Sequence, residues 1–507
     1  MTSLSVETEV LNAPGLSARV KQAVGGLFVG ESLKAKAFRG GAWLGSGSIA
    51  EQAARFVRNL ILVRLLAPDA FGTMAIVMST SLVLQAFTEV GVREALVQNP
   101  QGAESKFINA TWWMAFVRSL LVCVSLFFLA PSVAGFYRNP ELTPLLRVAL
   151  SGLLLEGAMS ARAYVAIKDM RFSRWAVLYH GGGILGVVIT VVLSFFIRDV
   201  WALVIGTTCE SAARCVLSYI ICPWSPSLRV DRKSLRELFK YTRGVIGLPL
   251  LTLIFMRSDV FVLGKLLHPA QLGLYTMGIA IAQVPVIFVS NLLYQVSLAT
   301  LSQIQEDKAR TNRVIIRVTS LVAATGAPVL AFTYFCGGSV LTLMYGRAYA
   351  ISAGPLFLAS CAAFLSLANS QITGVFYAAG APSLHRRCMA ATAVLMILLI
   401  YPFSKWLGPV GAQLACLISV IAGFGLQLER MQHFTGLKLS EYATVIARSA
   451  APSVSVIIVC LGSRLFPFPT GPLPSIGVGG VGCLLAYALG CVMLLRQQGL
   501  VQRASHG

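Results

Sequence analysis

The sequence predicts an all-α, polytopic membrane protein of about 14 transmembrane helices, arranged as two parallel six-helix lobes followed by two extra C-terminal helices. Three observations carry this prediction. Of the 507 residues, 56% are hydrophobic and only 12% are charged, about half the charged share of a soluble globular chain. Single cores stop growing near ~250–300 residues, so this much apolar surface needs the bilayer as its solvent. The apolar stretches are long and continuous, unlike the alternating strands of a β-barrel. Finally, one motif recurs six predicted helices later in the chain.

In chain order, a cytoplasmic N-terminal tail (1–40) comes first. It carries Glu7 and Glu9 and lacks an apolar h-region, so it is not expected to be a signal peptide. The N-lobe, 41–222, holds spans near 42–63, 72–97, 108–130, 142–166, 176–197 and 200–222. The last two are joined by little more than Ile197-Arg198-Asp199-Val200, which reads as a tight hairpin. A basic cytoplasmic inter-lobe loop, 223–242, contains Arg229, Arg232, Lys233 and Lys240, and is expected to lie on the anionic leaflet as an amphipathic helix. The C-lobe, 243–430, holds spans near 243–264, 272–300, 314–336, 348–378, 388–404 and 408–428. Two further spans, 441–462 and 475–495, and a short cytoplasmic tail make up 431–507.

The 41 Lys and Arg outnumber the 20 Asp and Glu, for a formal charge of +21. In a soluble chain that excess points to nucleic acid; here it sorts by loop. With both termini in the cytoplasm, about 25 cations fall in cytoplasmic segments and about 7 in outer loops, as the positive-inside rule requires. The remaining cations lie within spans. The eleven cysteines fall nearly all inside or beside apolar stretches, with no C-x-x-C pair and no His cluster nearby, and read as small lipid-compatible residues rather than metal ligands or disulfides. No cofactor or metal is expected.

The first predicted helix ends in Leu65-Leu66-Ala67-Pro68-Asp69-Ala70-Phe71-Gly72, and the seventh in Leu266-Leu267-His268-Pro269-Ala270-Gln271-Leu272-Gly273. The shared pattern is L-L-x-P-x-x-[FL]-G, with Arg64 and Lys265 just before it. Ser132-Val133 with Tyr137 is echoed by Ser339-Val340 with Tyr345. An even number of helices separates the copies, so the repeats run parallel, with the substrate site expected between the halves. Pro249, Pro285 and Pro328 interrupt helical hydrogen bonding and would let spans bend. Gly181-Gly182-Gly183, Gly152 and Gly157 suit close helix packing.

These residues carry a resemblance. Phe38-Arg39-Gly40, the Val63–Gly72 stretch and Glu89-Val90-Gly91-Val92-Arg93-Glu94 resemble the opening of Wzx-like polysaccharide-unit flippases, members of the multidrug/oligosaccharidyl-lipid/polysaccharide superfamily. Asn139-Pro140-Glu141-Leu142, Lys168-Asp169-Met170-Arg171-Phe172 and Asp259–Lys265 with Leu272-Gly273-Leu274-Tyr275 continue it in order. It covers most of 36–430, and the last two helices match by position only. The resemblance implies two six-helix lobes around a cavity. The implied cargo is an undecaprenyl-pyrophosphate-linked oligosaccharide moved across the bacterial inner membrane, with bilayer lipids, a polysaccharide polymerase and export machinery as partners.

Such a cargo has a polar head that cannot cross hydrocarbon unshielded, so a flippase needs a hydrated cationic cavity. Ionisable residues within spans are the candidates, because at that depth they face a cavity or a partner. Glu51, Arg55 and Arg58 are spaced to share one helical face. Arg118 lies mid-span, Glu210 and Arg214 form an i, i+4 pair, and Arg257 and Asp259 sit in the seventh helix. Arg55, Arg58, Arg118 and Arg257 are the candidate pyrophosphate contacts, the guanidinium fork suiting phosphate oxygens. Glu51, Glu210 and Asp259 are the candidate cavity acids, keeping the empty cavity neutral or coupling transport to Na+, H+ or the membrane potential. The other reading stays open: structural ion pairs of Glu51 with Arg55, Glu210 with Arg214, and Arg257 with a neighbouring helix.

An enzyme is not expected. No G-x-S-x-G, H-E-x-x-H, D-x-D or P-loop motif is placed to work, and every outer loop is too short for the catalytic domain of a membrane polymerase or ligase. Within transporters, a peptidoglycan-precursor lipid flippase and a cation-coupled multidrug antiporter of the same superfamily remain alternatives.

Overall fold

In the computed structural model, residues 33–88, 91–243, 248–290, 293, 308–379, 381–465 and 471–504 are described. The expected tail 1–32, Glu89 and the end of the span placed at 272–300 lie outside them. Every regular element among the described residues is helical. Helices α1 (Leu33–Leu65), α2 (Pro68–Thr88) and α3 (Val92–Gln98) are followed by α4 (Ser105–Tyr137), α5 (Leu142–Gly157), α6 (Arg162–Lys168) and α7 (Phe172–Ala176). A π turn, Val177–Gly181, joins α7 to α8 (Gly182–Phe196), and α9 (Val200–Ile221) closes the N-terminal half. The rest comprises α10 (Arg232–Arg243), α11 (Leu248–Leu266), α12 (Pro269–Ala280), α13 (Lys308–Tyr345), α14 (Ala353–Ala378), α15 (Pro382–Thr435), α16 (Leu439–Ala450), α17 (Val454–Leu465) and α18 (Pro472–Ala504).

The helix ends follow local chemistry. Pro269, Pro382 and Pro472 begin α12, α15 and α18, a position where the missing amide proton costs nothing and the fixed φ suits the helix. The tight hairpin between α8 and α9 is closed by Asp199, whose Oδ1 accepts from the Val200 amide at 2.6 Å. Helix α15 contains two helices broken at Gly408, whose φ of 58° and ψ of −135° are not helical, where the sequence places a boundary between two spans.

Nine helices among the described residues are long and apolar enough to cross a membrane, or ten when α5 and α6, bent by 56°, count as one span. The expected fourteen exceeds this number. Helix α1 is long enough, but Glu51, Arg55 and Arg58 interrupt its middle.

Helices α1, α2, α4, α5, α8 and α9 pack together, and α11–α15 form a second group. The last helices, α16–α18, pack on α13. The two groups join along α2 against α12 and α11. There a single apolar core runs between them, from Leu62, Leu66, Phe71 and Val77 to Leu263, Leu272, Leu341 and Met396. The segment expected as an amphipathic basic loop contains α10, which buries Leu238 against Leu96, Phe107 and Trp112. Before it, Asn109 on α4 clamps the chain by donating to the carbonyls of Ser227 and Arg229 (2.9 and 3.0 Å) and accepting from the Ser227 amide (2.8 Å). Asp231 starts α10: the Ser234 hydroxyl and amide donate to its Oδ2 at 2.6 and 2.9 Å and hold this carboxyl below its usual range.

Candidate functional site

Four of the charged residues singled out in the sequence converge in the N-terminal half. Helix α1 supplies Glu51 and Arg55, and α9 supplies Glu210 and Arg214. Arg55 Nη2 donates to Glu51 Oε1 at 2.7 Å and to Glu210 Oε1 at 2.5 Å. Arg214 Nη2 reaches the same two oxygens at 3.2 and 2.7 Å. Charges alternate around this ring, so each carboxylate lies between two guanidiniums. Pairing of this completeness is what lets buried charge persist at low dielectric.

A fifth member comes from the π turn. His180 Nδ1 lies 2.7 Å from Glu51 Oε2; an ionised carboxylate only accepts, so Nδ1 carries the proton. The turn also places Tyr179 under Arg214, whose Cζ lies 4.1 Å from the ring centre and whose Nε donates to the Tyr179 carbonyl at 3.3 Å. π turns add a residue to a helix and are frequent at functional sites.

Glycines on α8 make room for the ring. A Cβ on Gly182 would lie 2.5 Å from Arg214 Cγ, on Gly183 2.4 Å from Glu51 Oε1, and on Gly186 2.3 Å from Glu210 Cβ. Of the glycine run read in the sequence as helix packing, Gly182 and Gly183 make this clearance, together with Gly186. Sequence reading missed Glu156, which accepts from Gln85 Nε2 and Ser211 Oγ, each at 3.3 Å, beside the same ring. It also missed His180, whose place depends on the π turn and carries no sequence signal.

The remaining candidates are placed differently. Arg58, one turn beyond Arg55, is half-buried and donates to Asn59 Oδ1 at 3.2 and 3.3 Å. Arg118 on α4 and Arg257 on α11 are also half-buried. Among the described residues, none of these three has a carboxylate within ion-pair distance; the neighbouring-helix ion pair considered for Arg257 is not seen. Asp259 does not join the ring. It is buried on α11 and accepts from Tyr275 Oη at 2.6 Å, and that hydroxyl accepts from Gln413 Nε2 at 2.5 Å. This triad ties α11, α12 and α15 together.

At the joint between the halves, the two L-L-x-P-x-x-[FL]-G copies face each other through Gly72 and Gly273. Nearby, Lys265 Nζ donates to the Phe136 carbonyl and lies 4.6 Å from the Phe136 ring centre.

A helical bundle of two joined halves, with nine or ten helices among the described residues able to cross a membrane, defines a multi-pass membrane protein. Residues 61–353 match the family described as polysaccharide biosynthesis protein, and the chain belongs to that family. It is similar to the succinoglycan biosynthesis transport protein ExoT of Rhizobium meliloti (strain 1021), 22% identical over 58% of this chain and 60% of that protein. It is also similar to the lipopolysaccharide biosynthesis protein WzxC of Escherichia coli (strain K12), 19% identical over 62% of this chain and 64% of that one. The matched part therefore spans somewhat less than two thirds of these relatives' lengths. Among solved structures, the fold is similar to the lipid II flippase MurJ in an inward closed conformation, with a TM-score of 0.73 at 12% identity, covering 90% of this chain and 99% of that one. An inward-facing multidrug resistance MATE transporter gives 0.59 at 15% identity, covering 76% and 95%. The family match and these relatives agree with the resemblance to Wzx-like proteins carried by the sequence, and the solved structures show that the fold is shared.

Proposed function

We propose that the protein is a flippase that moves an undecaprenyl-pyrophosphate-linked oligosaccharide repeat unit across the bacterial inner membrane for exopolysaccharide or lipopolysaccharide biosynthesis. Its two halves alternate access to a cationic cavity, and both termini lie in the cytoplasm. The observation that supports this reading is the sorting of arginines. Arg55 and Arg214 are neutralised by Glu51 and Glu210, whereas Arg58, Arg118 and Arg257 have no carboxylate partner among the described residues. An arginine without a counter-charge costs about 2.5–3.5 kcal/mol at the membrane centre on insertion scales. A diphosphate head offers that missing charge during transport.

In this mechanism Arg58, Arg118 and Arg257 take the pyrophosphate while the polyprenyl tail stays in lipid. Arg55, Glu51 and Glu210 hold the cavity wall in place. The acids of the ring, with His180, are the point at which H+, Na+ or the membrane potential couples to transport; export that continues unchanged after collapse of both ion gradients and the potential would remove that coupling. A polymerase and export machinery act on the product at the outer leaflet.

Deletion with analysis of lipid-linked intermediates tests the reading. The expected result is loss of surface polymer with the complete repeat unit retained on the cytoplasmic leaflet. Growth arrest with lysis would instead identify a peptidoglycan precursor as the cargo, and normal polymer with normal intermediates would exclude both.

A further inference from the structure

At the end of the N-terminal half that carries α10, a separate cavity of about 630 Å³ is lined by none of the ring's residues. Its floor is apolar, with Ile108 of α4 and Val165 of α6 buried beneath it. Its rim carries three exposed guanidiniums, Arg162, Arg171 and Arg174, against one carboxylate, Asp169. Among the described residues none of these four is in an ion pair. Arg162 Nη1 donates to the Pro223 carbonyl at 3.2 Å, which leaves most of its donors unused.

The chain takes trouble to build this rim. Helix α6 ends in a turn whose Asp169, Met170 and Arg171 amides bond back to the carbonyls of Val165, Ile167 and Ala166 at 2.8, 3.0 and 2.7 Å. Met170 adopts a φ of 57°, a left-handed conformation disfavoured for any residue with a Cβ. Lys168, the other cation of that stretch, is used elsewhere: its Nζ donates to the carbonyls of Asn99 and, at 3.0 Å, Pro100. The turn thus divides one cation that secures the chain from two that edge the cavity.

Like charges around one hollow repel unless an anion lies between them. Guanidinium forks match phosphate oxygens in pairs, and the volume lies in the range of about 300–1,000 Å³ usual for small-molecule sites. We propose that this cavity is a second anion-binding site, distinct from the ring and from Arg58, and that it takes a phosphate-bearing group: the head of an anionic phospholipid or a soluble diphosphate.

The test uses the full chain in phosphatidylcholine nanodiscs, titrated with radiolabelled inorganic pyrophosphate. Saturable binding is expected, weakened about tenfold or more by Arg171→Ala/Arg174→Ala and less than about twofold by the charge-matched pair Arg229→Ala/Arg232→Ala outside the cavity. If the first pair fails to fold, Arg171→Lys/Arg174→Lys carries the test, because it keeps the charge and loses the fork. Phosphatidylglycerol in the disc that competes with pyrophosphate identifies a lipid head as the occupant; binding indifferent to it identifies a soluble diphosphate. Absence of saturable binding, or equal loss in the two alanine pairs, overturns the proposal. So does binding that survives Arg171→Ala/Arg174→Ala and disappears in Arg58→Ala, which would put the anion in the central site.

Discussion

Gly72 and Gly273 face each other, and each yields its missing side-chain space to the proline carbonyl of the opposite turn. A Cβ on Gly72 would lie 1.9 Å from the Pro269 carbonyl oxygen, and one on Gly273 would lie 1.7 Å from that of Pro68. Each built Cβ is also 3.0 Å from the other glycine's amide nitrogen. The reciprocity means that a local two-fold axis relates the two turns, and that the backbones of the two halves touch with nothing between them. Proline at the start of each helix and glycine four residues on are what such an approach requires.

Gly72→Ala and Gly273→Ala should each hold this joint apart and lower polymer export about tenfold or more, because a backbone carbonyl cannot move aside as a flexible side chain can. The double variant should be scarcely worse than either single one, since halves already separated have room for a second Cβ. Export measured for all three variants at matched membrane levels decides the matter. Additive losses would mean that the two contacts act independently.

Arg55 and Arg58 should fail in different ways. Arg55→Leu leaves Glu51 and Glu210 short of a shared partner, and breaking a buried pair costs about 3–5 kcal/mol, so the amount of folded protein in the membrane should fall. Arg58→Glu should leave that amount near normal and abolish export. Thermal melts of detergent-solubilised protein, set beside surface-polymer assays, separate the two; full export by Arg58→Glu would remove Arg58 from the transport path.

The α8 glycines make a graded series. Gly182→Ala, Gly183→Ala and Gly186→Ala should each cost about 1–3 kcal/mol by pressing on Arg214, Glu51 and Glu210. Gly181→Ala, where a Cβ would meet only Val177 Cγ1 at 4.0 Å, should be neutral or slightly stabilising by helix propensity. A set of melting temperatures that fails to single out Gly181 would sever the link between the row and the ring.

Tyr275→Phe removes the hydroxyl that joins Asp259 to Gln413. Two buried polar groups then lose a partner, at a cost of about 1–3 kcal/mol each, so the melting temperature should drop. Asp259→Asn with Tyr275 intact should cost less, because an amide oxygen still accepts from the hydroxyl. The order of the two melting temperatures is the measurement.

The nine or ten helices able to cross a membrane were legible because an apolar run of membrane length has few other uses, and the α8–α9 hairpin because only Arg198 and Asp199 separate two such runs. Glu51 with Arg55 and Glu210 with Arg214 were legible as i, i+4 pairs. That one Nη2 of each arginine serves both carboxylates was not, since it depends on how α1 and α9 meet across α8. Asp259 was read beside Arg257 as a cavity acid, yet residues two apart on a helix point to different faces, and Asp259 faces Tyr275. The Asn109 clamp joins positions more than a hundred residues apart through an uncharged side chain, and no local pattern announces it.

The π turn at Val177–Gly181 has a consequence for how this span can change. A π turn spends one extra residue on about the rotation of an ordinary helical turn, so the flanking helix runs on while the sequence periodicity of its faces shifts by about 100°. The segment bearing Arg174 and the segment bearing Gly182, Gly183 and Gly186 therefore do not share one face periodicity within the crossing. Deleting a single residue from the turn would restore an unbroken α-helix with both ends near their present orientation, and would cost only the wide turn that brings Tyr179 to Arg214 and His180 to Glu51.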